Sequence, residues 1–154
     1  MKSTEILLTD SDPDRRNNFA SRLRVQGHQV ELSLEGFQTI HLLERNRYAA
    51  LVIFGNLDDM PGLEILSLAR VSCSKTDLPI IYISEGKDQD EVLSAFEYGA
   101  NDIIVYSDKC FASLLEKLLP SILYPRYQTL CLHLLQWFYS LPFCNQSLGL
   151  RLVL

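Results

Sequence analysis

The sequence predicts a three-layer, doubly wound α/β domain built on a five-strand parallel sheet in the order 2-1-3-4-5, followed by an apolar C-terminal helical tail. Three observations carry that prediction. Short apolar runs alternate five times with segments of helical periodicity. The runs are nearly continuous in Val, Ile and Leu, as strands are when both faces of a sheet are covered. At 154 residues, with 47% apolar and 21% charged side chains, the chain can bury one substantial core, which excludes both intrinsic disorder and a disulfide-dependent miniprotein. Helices lying between strands then require parallel pairing through right-handed crossovers.

The first run, residues 5–9 (EILLT), ends in the polar turn DSDPD. The segment RRNNFASRLRVQG after it sets Phe19, Leu23 and, less regularly, Val25 on one helical face before Gly27 stops it. HQVELS alternates as a strand, and GFQTIHLLERN reads as a helix through Phe37, Ile40 and Leu43 or its neighbour Leu42. AALVIF is an almost unbroken apolar strand. After the loop GNLDDMP come the helix GLEILSLARVS and the strand LPIIYIS. The helix DQDEVLSAFEYG, the strand NDIIVY and the helix DKCFASLLEKLL complete five βα units. In such sheets functional groups collect at the carboxyl ends of the strands, around the switch point between strands 1 and 3.

Composition divides the chain near Pro120 into an acidic body and an apolar, aromatic extension. The net charge of −5 offers no basic face for phosphates and excludes a general nucleic-acid binder. Residues 1–119 hold 12 basic and 19 acidic side chains, a charge of −7, whereas the last 35 residues have only Arg126 and Arg151 as charges and six of the 15 aromatics. A helix through Leu130, Leu134, Trp137, Phe138 and Leu141 would be apolar almost all round and must bury itself. Its cover is the domain's own surface, a second copy or partner, or a membrane interface anchored by Trp and Tyr. Pro120, Pro125 and Pro142 break the segment, and the uncharged stretch 128–144 is shorter than the roughly 20 residues that span a bilayer. Cys73, Cys110, Cys131 and Cys144 form neither a CxxC pair nor a zinc spacing and read as buried thiols. The start, MKSTEILLTDSD, is too short in apolar residues for a secretory signal, which predicts a cytoplasmic protein.

Four segments in order, ILLTDSDPDRR, ALVIFGNLDDMPGLEIL, LPIIYIS and FEYGANDIIVYS, give the chain a resemblance to the response-regulator receiver domain, the CheY-like, flavodoxin-like phosphoacceptor module of two-component signalling. The resemblance covers about residues 4–118. It implies a site of five positions: two acids after the first strand that hold a divalent cation, an Asp ending the third strand that takes the phosphoryl group, a Ser or Thr ending the fourth and a Lys ending the fifth. A carboxylate attacks phosphorus weakly, and repulsion between anions must be offset by a hard cation and a fixed ammonium.

Laid on that pattern, Asp10 keeps the first acid position and Ser11 stands at the second. Counting back from Gly62 in MPGLEIL, the acceptor position falls on Phe54, which cannot be phosphorylated. Ser84 keeps the hydroxyl position, and Tyr106 stands at the lysine position. The aromatic switch residue three before the lysine is Ile103 here. The resemblance therefore implies a degenerate pseudo-receiver that keeps the scaffold without phosphoryl chemistry, with no catalytic residues, no cofactor and little basis for Mg²⁺.

Other readings stand beside this one. Asp10, Asp12 and Asp14 are either a residual weak cation site, centred on Asp10 and Asp12, or acids capping the first helix. Asp58 and Asp59 are either substitute acceptors or a solvated loop. Phe54 is either a plug in the vacated acid pocket, against Tyr106, or an extension of the core. The leading expectation is a non-enzymatic module of the phosphorelay type that works by protein–protein recognition, with a partner or a second copy, through the face of helix 4, strand 5 and helix 5 or through the tail. The alternatives are a small-molecule-binding pseudo-receiver and a receiver phosphorylated on an atypical Asp.

Overall fold

A computed structural model describes residues 5–55, 57–86 and 89–123; the apolar extension beyond Leu123, with its predicted helix and its protein or membrane contacts, lies outside the described residues. Five βα units follow one another: β1 Glu5–Thr9, α1 Pro13–Val25, β2 Gln29–Ser33, α2 Gly36–Arg45, β3 Ala50–Phe54, α3 Gly62–Ser72, β4 Ile80–Ser84, α4 Gln89–Glu97, β5 Asp102–Val105 and α5 Cys110–Leu123. All strand pairs are parallel, in the order β2-β1-β3-β4-β5. This is the predicted doubly wound sheet.

Alternate side chains of the strands feed two cores. Ile6, Leu8, Val52, Phe54, Ile81, Ile83 and Ile104 pack under α1 and α5, against Phe19, Leu23, Phe111, Leu114 and Leu118. Leu7, Leu51, Ile53, Ile80 and Tyr82 face the other way, against Ile65, Leu66 and Ala69 of α3 and Ala95 of α4. β3 and β4 are buried along their whole length, as expected for central strands covered on both faces. The sheet register sets Phe54 opposite Ile83 and Ser84 opposite Val105, so the strand ends converge on one edge.

Two of the predicted helical faces are corrected. In α1 the buried stripe is Arg16, Phe19, Ala20 and Leu23, and Val25 is 83% exposed. At about 100° of rotation per residue Val25 falls on the opposite side from Leu23. In α2 the buried residues are Gly36 and Thr39, with Ile40, Leu42 and Leu43 partly buried beside them, which leaves Phe37 about a third of a turn away and 67% exposed. α5 runs on through Pro120 to Leu123, and the compact unit that contains the sheet likewise ends at Leu123. Ile122, in that last turn, is partly buried against the α1–α5 core.

Candidate functional site

The carboxyl end of β1 delivers Asp10 into the interior. Its backbone N–H donates to the Ser33 carbonyl at 3.2 Å, continuing the β1–β2 pairing by one residue, and its side chain is fully buried. The chain then turns into α1, where Asp12 is the N-cap and accepts from the N–H groups of Asp14 and Arg15, each at 3.0 Å. The Arg15 N–H bond is the main cause that holds the Asp12 carboxyl below its ordinary range. Asp12 thus makes the helix-capping contacts.

With α1 fixed in this way, Arg15 in its first turn reaches back over Asp10. Nε donates to Oδ2 at 2.6 Å and Nη2 donates to Oδ1 at 2.7 Å, a two-pronged, charge-assisted pair. The Asp12 N–H adds a third bond to the carboxylate at 3.1 Å, and Arg16, itself buried, donates to the Asp10 carbonyl at 2.7 Å. The hydrogen bonds from Arg15 to Asp10 raise the guanidinium above its usual pKa against the opposing pull of burial. Removing one member of such a buried pair costs roughly 3–5 kcal/mol, because the other charge is left without compensation.

The same guanidinium lies 4.6 Å from the ring centre of Phe54 and 5.2 Å from that of Tyr106. Phe54, at the end of β3, is only 2% exposed, and its ring meets Tyr106 edge-on at 6.3 Å. On its other side Phe54 packs edge-on against Phe19 at 5.2 Å, and Phe19 against Phe111 at 5.6 Å. Phe54 therefore both extends the core and stands against Tyr106 beneath the Asp10–Arg15 pair. Tyr106 follows β5 and is half exposed, with its N–H bonded to the Ser84 carbonyl at 2.8 Å. Arg15 also comes within 3.7 Å of the Glu85 carboxylate.

Ser84, fully buried at the end of β4, is engaged. Its Oγ donates to Oε2 of Glu91 at 2.5 Å and accepts the Gly86 N–H at 3.0 Å. The other oxygen of Glu91 accepts from the Tyr82 hydroxyl at 2.7 Å. Burial, with that bond, pushes the Tyr82 phenol well above its ordinary pKa. One carboxylate from α4 thus ties down two hydroxyls of β4. Gly55 makes room for it, since a Cβ there would lie 2.5 Å from both Glu91 Oε1 and the Tyr82 hydroxyl oxygen.

Of the remaining predicted residues, Ile103 is partly buried on the α3–α4 side of the sheet, next to Tyr82 in the register. Asp58 is exposed in the β3–α3 loop. Asp59 caps α2 from outside that helix: its two oxygens accept the N–H groups of Gly36 and Phe37 at 2.8 and 3.0 Å. Burial opposes ionisation of Asp59, but these backbone bonds outweigh it and hold the carboxyl below its ordinary range. Ser11, next to Asp10, is half-buried. Among the described residues, no group of three or more His, Cys, Asp or Glu side chains is set to hold a metal ion, and no helix is long and apolar enough to cross a membrane.

Sequence reasoning missed two residues of this site. Arg15 had a readable signal, being five residues after a strand-end acid and in the first turn of a helix that starts beside it. Glu91, seven residues after Ser84 across a loop, had none.

Comparison with known proteins agrees with this architecture. The family model described as "Response regulator receiver domain" matches residues 6–113. "Response regulator MprA" of Mycobacterium leprae (strain TN) is 32% identical over 117 residues, covering 76% of this chain and 48% of the relative. "Transcriptional regulatory protein PrrA" of Mycobacterium tuberculosis is 25% identical over 103 residues, 67% of this chain and 43% of the relative. The chain spans about half the length of the curated relatives it matches. Among solved structures, the receiver domain of the sensor histidine kinase PA1611 from Pseudomonas aeruginosa PAO1, described with a magnesium ion coordinated in its active site cleft, is 27% identical with a TM-score of 0.70, over 78% of this chain and 98% of that one. A CheY-like receiver domain protein from Methanospirillum hungatei JF-1, 19% identical, has the same fold with a TM-score of 0.73 over 82% of this chain and 99% of that one. On the match across residues 6–113, the chain belongs to the response regulator receiver domain family.

Proposed function

We propose that the chain is a non-catalytic signalling module of the two-component, phosphorelay type, a pseudo-receiver that acts by protein–protein recognition and takes no phosphoryl group at the usual position. The observation that carries this reading is Phe54, buried at the end of β3 under the Asp10–Arg15 pair, where phosphoryl transfer needs a carboxylate. The altered pocket consists of Asp10, Ser11, Phe54, Ser84 and Tyr106, with Ile103 at the switch position. Arg15 and Glu91 complete it.

A magnesium ion, as described for the PA1611 receiver domain, does not fit this donor set. Asp10 has both carboxylate oxygens on Arg15, Ser11 stands for the second acid, and Phe54 offers no oxygen. The weak cation site considered at Asp10 and Asp12 loses Asp12 to helix capping as well. Of the substitute acceptors, Asp59 is committed to α2, and Asp58 stays an exposed loop residue with no cation beside it in the sequence. The burial of Asp10, Phe54 and Ser84 weighs against a small-molecule site in the same place.

Recognition falls to the α4–β5–α5 face. What supports this is the set of exposed apolar side chains there, Leu93 and Phe96 of α4, Tyr98 beyond it, and Val105 and Tyr106 at the end of β5. The recognition module lies in the body expected over residues 4–118, although the first residues of the 119–154 extension complete α5, which ends at Leu123. The relatives' names describe proteins about twice the length of the match, so a transcriptional output is not carried over to this chain.

The test is incubation of the full chain with acetyl phosphate and Mg²⁺, followed by intact mass. No phosphoryl adduct is expected. An adduct that disappears in D58N or D59N would replace this reading with phosphorylation on an atypical Asp.

A further inference from the structure

Arg15 touches the carboxyl ends of four strands with one side chain. Its two-pronged pair holds Asp10 after β1, its guanidinium lies over Phe54 at the end of β3 and over Tyr106 after β5, and it approaches Glu85 after β4 at 3.7 Å. The group is 13% exposed, and the acid it pairs with is fully buried. Arginine suits this place better than lysine. Its planar fork matches both carboxylate oxygens at once while its face remains available to aromatic rings.

We infer that Arg15 is the resident cation of this pocket: a side chain of the protein itself supplies the positive charge at the strand ends, shuts divalent cations out of Asp10, and ties β1, β3, β4 and β5 into one fixed arrangement. The inference rests on the pseudo-receiver reading and deepens it, because a pocket with a built-in cation keeps the same state whatever the concentration of Mg²⁺ or phosphoryl donor. The electrostatics favour this. A buried carboxylate needs a partner, a covalently tethered guanidinium is always present, and a magnesium ion would have to shed water and also displace two charge-assisted hydrogen bonds. Ser11 and Phe54 supply no further acid to compensate for that displacement.

The experiment is nuclear magnetic resonance on the uniformly ¹⁵N-labelled full chain near neutral pH. The Arg15 Nε–H signal is expected to be observable, displaced by ring currents from Phe54 and Tyr106, and unmoved by millimolar Mg²⁺. A shift of that signal, or of the Asp10 and Ser11 amides, on adding Mg²⁺ would overturn the inference. In R15Q, which removes the charge and keeps much of the bulk, amide shifts are expected at all four strand ends, near Ser11, Gly55, Glu85 and Tyr106, together with a lower melting temperature. R15K should recover only part of the wild-type pattern. Changes in R15Q confined to residues 10–16 would reduce Arg15 to a local helix contact and refute the four-strand tie. If R15Q does not fold, the Mg²⁺ titration of the wild-type chain still decides whether cations are shut out, and R15K decides the tie. A Mg²⁺-sensitive Arg15 without a phosphoryl adduct defeats this inference alone, whereas an adduct defeats the pseudo-receiver reading.

Discussion

Asp59 illustrates how a single side chain takes its role from its neighbours. In sequence it is a loop acid near the acceptor position; in space it caps a helix 23 residues earlier, supplying the side-chain cap that Glu35 at the N-cap position does not make. D59A should therefore lower stability by about 1 kcal/mol, the usual cost of a lost N-cap, read from urea midpoints near neutral pH. The folded-state pKa of Asp59 is depressed, so its contribution is complete above the ordinary Asp value of 3.8 and fades as the pH falls through the lower folded value. The gap between wild type and D59A should accordingly close in acid. A gap unchanged between neutral and strongly acidic solution would mean that the carboxylate's charge is not what caps α2.

At the scale of elements, one carboxylate of α4 makes a specific join to β4. Glu91 fastens α4 to Tyr82 and Ser84, and Gly55 lets it sit there because no Cβ intrudes. In G55A the new methyl group would have to displace both the carboxylate and the rigid Tyr82 ring. Overpacking of this kind costs about 1–3 kcal/mol. Amide hydrogen exchange in α4, Gln89–Glu97, should accelerate more than exchange in α1, which takes no part in this join. Equal acceleration in both helices would show that the glycine matters to the whole sheet. α1 has fastenings of its own, the Asp12 cap and the stacking of Arg22 on Phe111 of α5 at 3.7 Å.

For the whole molecule, the boundary between body and extension is the point to test. The helix that opens at Cys110 continues past residue 118, and Ile122 in its last turn contributes to the α1–α5 core. A chain ending at Leu123 is expected to fold and to keep the melting temperature of the body, and one ending at Leu118 to melt lower because it leaves that core partly uncovered. Equal melting temperatures, by circular dichroism, would return the boundary to 118. The exposed apolar side chains at α4 and β5, Leu93, Phe96, Tyr98, Val105 and Tyr106, come from consecutive elements of the chain.

Much of this fold is legible in the sequence itself. The five apolar runs, their unbroken Val, Ile and Leu content and the intervening helical periods determined five parallel strands and their order, because strands covered on both faces admit few other topologies. The interval GLEILSLARVS coincides with α3 residue for residue, whereas the pocket positions Asp10, Phe54, Ser84 and Tyr106 are ones that only the resemblance to the receiver family implies. Val25 and Phe37 are apolar yet exposed, because apolar character alone does not fix the phase of a helix; the packing of its neighbours does. Only the tertiary structure decided what each polar group holds: Arg15 over Asp10, Asp59 on α2, Glu91 on Ser84 and Tyr82. The physical reason is range. Hydrophobic periodicity is written locally and repeats, so a sequence displays it, whereas a long charged side chain chooses its partner from whatever the completed fold brings within a few ångströms of its end.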